Sequence, residues 1–155
     1  MKKTLLYIGT ATILTLFSSI SFAKNNCGNA NIESEKADSL LEKLYDSWGD
    51  IYQYYDKYSK YGCYSEGYYG ESIADSVVKR LANHWDSLND LALLTRKNKQ
   101  FENFLISKIN ATVSDSDLLK IHELANKECP NELLNLCKKI DKKTLKAYKE
   151  MGEIN

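Results

Sequence analysis

The sequence predicts an all-α fold, a single compact domain of five or six helices stapled by two disulfides. Three observations predict it. Proline occurs once, at Pro130, and runs of β-branched residues are scarce. Apolar residues recur at spacings of three and four along most of the chain, the period of an amphipathic helix. Four cysteines, Cys27, Cys63, Cys129 and Cys137, all lie beyond residue 23, and an even count in an exported chain reads as a disulfide framework.

Export is read from the first element. Met1-Lys2-Lys3 is a short basic start, and residues 4–22 are uncharged and mostly apolar. Ser21-Phe22-Ala23 puts small residues at the −3 and −1 positions of a cleavage site, so residues 1–23 read as a signal peptide. A transmembrane anchor is the competing reading, but the apolar core is short, diluted by Thr and Ser, and ends at a cleavable site. The residues before Cys27, Lys24-Asn25-Asn26, are not the small apolar run that precedes a lipid-anchored cysteine. The expected mature chain is a helical domain over 24–155, of 132 residues, one domain's worth with no membrane span. A lysine-led signal suits a bacterium, which places the mature protein in the periplasm or outside the cell.

Residues 24–33 read as a loose N-terminal arm. The first helix is expected over about 34–60, burying Ala37, Leu41, Leu44, Trp48, Ile51 or Tyr52, and Tyr55, with a bend at Gly49. Gly62, Gly67 and Gly70 break the chain around Cys63. A second helix over about 71–84 turns Ile73, Val77, Leu81 and Trp85 inward, and a third over about 87–97 uses Leu88, Leu91, Ala92 and Leu94. The fourth, about 99–110, sets Phe101, Phe104, Leu105 and Ile109 on one side. Ser114 caps the fifth, with Asp115 and Asp117 at its positive end, and this helix stops before Cys129-Pro130. The last spans about 132–150, with Leu133, Leu134, Cys137, Ile140 and Tyr148 as its apolar positions and its lysines late, toward the negative helix end.

Four cysteines allow three pairings, and proximity favours Cys27–Cys63 with Cys129–Cys137. The second pair carries a geometric condition. Eight residues of continuous helix span about 12 Å, beyond the roughly 7 Å limit for a bridge, so the chain must fold back after Cys129-Pro130. No CxxC pair exists, and His84 and His122 are remote from any cysteine in sequence, so no metal or other cofactor is expected.

Charge is balanced overall but not locally. Residues 24–95 hold 12 acids and 7 bases, whereas residues 96–155 hold 9 acids and 12 bases. The global balance gives no reason to expect nucleic acid as a partner, and the asymmetry fits either ordinary solvated helix faces or a dipolar surface that steers a charged partner. Tyrosine is the oddest local signal: Tyr52, Tyr54, Tyr55, Tyr58, Tyr61, Tyr64, Tyr68 and Tyr69 are eight of the eleven. One helix face cannot bury them all, since neighbours such as Tyr54 and Tyr55 diverge. They either pack the first helix on its neighbours with hydroxyls at the edge, or form a recognition surface.

Tyr64, Glu66, Tyr68, Glu71 and Asp75 form the candidate contact patch, because tyrosine anchors and carboxylates are interleaved there among glycines that let a loop approach a partner. The same Glu66, Glu71 and Asp75 are the best candidates for acid–base work in a small hydrolase, with Lys79 four residues past Asp75 as an ordinary ion pair. A Ser/His/Asp set can be written from Ser72 or Ser76, His84 and Asp86, but no GxSxG elbow accompanies it.

Two stretches carry a resemblance. Cys63-x-x-Glu66-Gly67, Glu71, Asp75-Ser76-Val77 and His84-Trp85-Asp86-x-Leu88 are followed by Phe101-x-x-Phe104, Ile109-x-Ala111-Thr112, Asp117-Leu118-x-x-Ile121, Cys129-Pro130 and Leu136-Cys137. Over roughly 61–140 the chain resembles small exported bacterial helical proteins of uncharacterised activity. In general layout it is similar to periplasmic immunity proteins, which are small, signal-bearing, helical and disulfide-stapled. That similarity implies a non-enzymatic module that binds a protein partner, a toxin or an enzyme, as an immunity protein or inhibitor. A structural or envelope-stress protein is a further alternative.

Overall fold

Side-chain caps at Ser47, Asn98 and Ser114 start three of the helices in the computed structural model, and the structure describes residues 30–154. The expected signal peptide and Cys27 lie outside the described residues. Among those described there are seven α-helices: α1 (Ala30–Leu41), α2 (Trp48–Lys57), α3 (Gly67–Asn83), α4 (Leu88–Lys97), α5 (Lys99–Ser107), α6 (Asp115–Lys127) and α7 (Leu134–Ile154). Short 3₁₀ turns at Ser59–Tyr61, Trp85–Ser87 and Asn131–Leu133 join them. The all-helical expectation holds, while the count exceeds five or six.

The extra helix comes from the expected first helix, which is two. The chain breaks between Leu41 and Trp48 rather than bending at Gly49. Ser47 explains the restart: its hydroxyl accepts the Asp50 amide at 3.1 Å, an N-cap. Arg80 from α3 explains why the break is tolerated. Its guanidinium donates to the freed carbonyls of Tyr45 (2.9 Å) and Asp46 (3.0 Å) and lies over the Trp48 ring at 5.5 Å. Period alone continues through 41–48 because Leu41, Leu44 and Trp48 are all buried on both sides of the turn. Helix α1 begins at Ala30, inside the stretch read as an arm.

Helix α3 is the central element. Ile73, Ala74, Val77, Val78 and Leu81 are all essentially inaccessible. The helix begins four residues earlier than expected, at Gly67, because the glycines read as breakers serve its first turn instead. Trp85 closes its C-terminal end by donating to the Glu128 carbonyl at 3.0 Å, tying it to the end of α6. Trp48 donates to Ser87 at 2.9 Å and ties α2 to the same corner. Asn98 and Ser114 cap α5 and α6 by accepting the Phe101 and Asp117 amides.

Cys129 and Cys137 form a disulfide with Cα atoms 6.2 Å apart. The required fold-back is supplied by extended Pro130 and the 3₁₀ turn Asn131–Leu133, so α7 starts only at Leu134. The Cys27–Cys63 pairing involves a residue outside the described ones; Cys63 itself is buried, and no described cysteine is free. Glu102 on α5 is 6% exposed and is held by Lys99 and by Lys139 of α7. Burial alone would push its carboxyl up, but the two lysines more than offset that and hold it below the ordinary carboxylate range.

Candidate functional site

The tyrosine cluster divides between core and surface. Tyr54, Tyr55 and Tyr58 are buried on α2, with Tyr55 packed on Phe101 and Phe104 at centroid distances of 5.2 and 4.9 Å. A chain of edge-on and tilted contacts then runs outward: Tyr54–Tyr58 at 5.4 Å, Tyr58–Tyr64 at 5.4 Å, Tyr64–Tyr69 at 5.0 Å and Tyr69–Tyr68 at 5.6 Å. It ends at Tyr68, which is 69% exposed. The ladder therefore serves packing at one end and presents a ring to solvent at the other. Burial pushes the Tyr54 phenol well up, and its hydroxyl donates to the Tyr64 carbonyl at 2.9 Å. Tyr64 has a left-handed backbone, φ 46°, which costs a non-glycine residue about 1 kcal/mol and aims that carbonyl inward.

The five candidate patch residues fall on two flanks of the first half of α3. On the first flank, Tyr68 joins Asp38, Leu41, Glu42, Tyr45, Ser72 and Ser76 around a cleft of about 250 Å³. Tyr45, 45% exposed, lines the same cleft as Tyr68. The Tyr45 hydroxyl donates to Asp75. Partial burial, and then this hydrogen bond, raise the Tyr45 phenol above its ordinary value. Lys79 completes the arrangement, 2.9 Å from Asp75 and 5.5 Å from the Tyr45 ring centroid. Tyr69 hydrogen-bonds Asp38, and burial followed by this contact raises its phenol.

On the second flank, Glu66 and Glu71 line a cleft of about 230 Å³ with Gly67, Gly70, Lys108, Asn110 and Thr112. Lys108 donates to the Ser65 carbonyl at 3.0 Å. Burial lowers its ammonium from the ordinary lysine value, while the nearby Glu66 carboxylate opposes that shift. Gly70 makes the loop possible, since a Cβ there would lie 2.7 Å from the Ser65 carbonyl oxygen.

Thus Tyr68 lines the first cleft, Glu66 and Glu71 line the second, and Tyr64 sits in the ladder between them. Of the three carboxylates weighed for acid–base work, Glu66 and Glu71 share the second cleft, while Asp75, one turn past Glu71, is engaged by Tyr45 and Lys79. The Ser/His/Asp set is not assembled either. The Ser76 hydroxyl is buried and donates to the Ser72 carbonyl at 2.8 Å, whereas His84 is exposed at the far end of α3, about 12 Å further along the helix from Ser76. Among the described residues, no group of three or more His, Cys, Asp or Glu is placed to hold a metal.

Sequence reasoning missed Tyr45, Asp38, Glu42 and Lys108. Asp38, Glu42 and Tyr45 had a signal, the four-then-three spacing that puts polar residues on one helical face. Lys108 had none, because its partner Ser65 is 43 residues away. No family model, curated protein or solved structure matches the chain.

Proposed function

We propose that this chain is an exported protein-binding module that neutralises a toxin or enzyme acting on the cell envelope, and that the cleft between Tyr45 and Tyr68 receives a basic side chain of that partner. The observation that carries the reading is the cleft itself. Two exposed tyrosines, Tyr45 and Tyr68, line it together with the carboxylates Asp38 and Glu42, and the Tyr45 hydroxyl reaches Asp75. Tyrosine gives large contact area at low entropic cost, and a ring beside a carboxylate suits a lysine or arginine from a partner. Lys79, held by both the Tyr45 ring and Asp75, is an internal instance of that recognition. The acidic N-terminal half would steer a basic partner toward this face.

Two finer statements belong to the same proposal. Residues 1–23 are removed, so that the protein begins at Lys24 in the periplasm or outside the cell, and Cys27 pairs with Cys63. A disulfide between Cys129 and Cys137 supports an oxidising compartment. Among the described residues, no helix is long and apolar enough to cross a membrane.

A second reading, a hydrolase, draws on one observation: Lys108, its ammonium lowered by burial, shares a cleft with Glu66 and Glu71. One experiment separates the two. A photo-crosslinking residue is placed at position 68 and, in parallel, at 110 beside Lys108, in cells exporting the full chain. The proposal expects a protein adduct from position 68 whose isolated partner harms cells lacking this chain and spares cells making it. An adduct from position 110 alone, or a position-68 partner harmless to cells lacking the chain, would overturn it.

A further inference from the structure

We propose that the outer face of α7 is a second site, which docks on an anionic phospholipid surface. It is independent of the tyrosine cleft. Residues 138–149 contain six lysines and one carboxylate, Asp141. Asp141 is engaged from α6 by His122 at 2.6 Å and by Asn126 at 3.2 Å. Lys139 is taken by Glu102 and Lys146 pairs with Glu150 at 3.4 Å. Among the described residues, Lys138, Lys142, Lys143 and Lys149 form no ion pair.

The helix also carries an apolar line. Leu134, Leu145 and Tyr148 are 47%, 36% and 40% exposed. Eleven residues are just over three whole turns, so Leu134 and Leu145 lie on one line, with Tyr148 a turn further on; Asp141 falls on the same line, its carboxylate held by His122 and Asn126 of α6. Lys138, Lys142 and Lys149 run beside it on the solvent side. Past them opens a groove of about 430 Å³ between α5 and α7, where Lys142, Lys143 and Lys146 stand over Ile106. An apolar line with lysines along its solvent side is the layout of a helix that rests in a bilayer interface, with its leucines toward the acyl chains and its ammonium groups on phosphates.

The chemistry favours a lipid surface over a protein. All six cations are lysine and none is arginine. Lysine is depleted from protein interface cores, where arginine's planar fork is preferred, but it suits diffuse attraction to a charged surface.

The test is co-sedimentation of the processed protein, its mass recorded, with vesicles. One set contains about one third phosphatidylglycerol in phosphatidylcholine and the other phosphatidylcholine alone. The expected result is binding to the anionic set only, lost at about 0.5 M salt, where the screening length falls to a few ångström. Each lysine near an anionic surface contributes about 1 kcal/mol, roughly fivefold, so Lys138→Gln with Lys142→Gln, both beside the apolar line, should weaken binding about 25-fold. Lys43→Gln with Lys57→Gln, the same charge change elsewhere, should leave it unchanged. Circular dichroism checks that each variant is folded. Inorganic phosphate at millimolar concentration should compete poorly, because the apolar line contributes only with lipid. Equal binding to both vesicle sets, insensitivity to salt, an unchanged Lys138/Lys142 variant, full displacement by inorganic phosphate, or preference for polyglutamate or duplex DNA while vesicles are ignored would each overturn the proposal.

Discussion

Replacing Gly70 with alanine should destabilise the protein, although alanine is the better helix former. An added Cβ would meet the Ser65 carbonyl oxygen at 2.7 Å and the Ser65 carbonyl carbon at 3.3 Å. Both are backbone atoms, so no side-chain rotation relieves the contact. The loop over residues 62–66 must move, and with it the 3.0 Å hydrogen bond from Lys108 to the Ser65 carbonyl. Displacing tightly packed backbone costs about 1–3 kcal/mol, and loss of a bond to a charged donor adds about 1.5 kcal/mol if nothing replaces it. The helix propensity of alanine returns about 1 kcal/mol. The net expectation is a loss of about 1.5–3.5 kcal/mol. Gly152 in α7 is the matched control, because a Cβ there meets nothing within 4 Å. Gly152→Ala should be neutral or stabilising by up to about 1 kcal/mol. Urea unfolding of the two variants beside the parent, with common slopes, gives both numbers. If Gly70→Ala matches Gly152→Ala in sign and size, the Ser65 loop is not packed against α3 as argued.

Other expectations follow from the elements that hold α1, α2, α5 and α7 in place. Arg80→Ala should cost about 2–3 kcal/mol in urea unfolding, because two carbonyls in the α1–α2 turn lose their shared donor, Nη1, and Arg80→Lys should recover only part of this, since an ammonium can donate to both carbonyls but loses the planar packing over the Trp48 ring. Replacing Cys129 and Cys137 with serine frees a bridge closing a loop of separation 8, worth roughly 2.5 kcal/mol by loop entropy, read as a shift in the unfolding midpoint. Glu102 has its carboxyl depressed in the folded state, so its pairs contribute stability above the ordinary carboxylate value of about 4.5 and lose it as pH falls through the lower folded value. Glu102→Gln should therefore be less stable than the parent at pH 7, with the difference shrinking on acidification below about pH 4.5; an unchanged difference would mean the carboxylate charge is not what matters.

What the sequence makes legible follows from what is local. Helices α4 to α7 are readable because each has a periodic apolar face and a nearby boundary: Asn98 and Ser114 as caps, Cys129-Pro130 as a stop. The Cys129–Cys137 bridge is legible for the same reason, since its fold-back lies within eight residues. The split between α1 and α2 is harder, because the apolar period runs through it and the decisive partner, Arg80, is over thirty residues away. Gly67 and Gly70 show the limit of reading glycine as a breaker. Gly70 is inside a helix because the Ser65 carbonyl needs its missing Cβ. The candidate patch was half legible. Its five residues lie around the start and first half of α3, but the sequence could not show that Asp75 is engaged by Tyr45 while Glu71, one turn earlier, lines a cleft with Lys108. Nor could it show that buried Tyr54, Tyr55 and Tyr58 are the foundation of a ladder ending at Tyr68.

The central claim is that Tyr68 is an anchor for a partner and not a packing residue. Its direct measurement pairs two quantities for the parent and Tyr68→Ala: the dissociation constant for the partner crosslinked from position 68, and the melting temperature. Because the ring is 69% exposed, the account predicts a melting temperature within about 2 °C of the parent. The complex should weaken by about 1–3 kcal/mol, from roughly fivefold to more than a hundredfold. A variant that melts early yet binds with unchanged affinity once folded would contradict the account and return Tyr68 to the packing of α3.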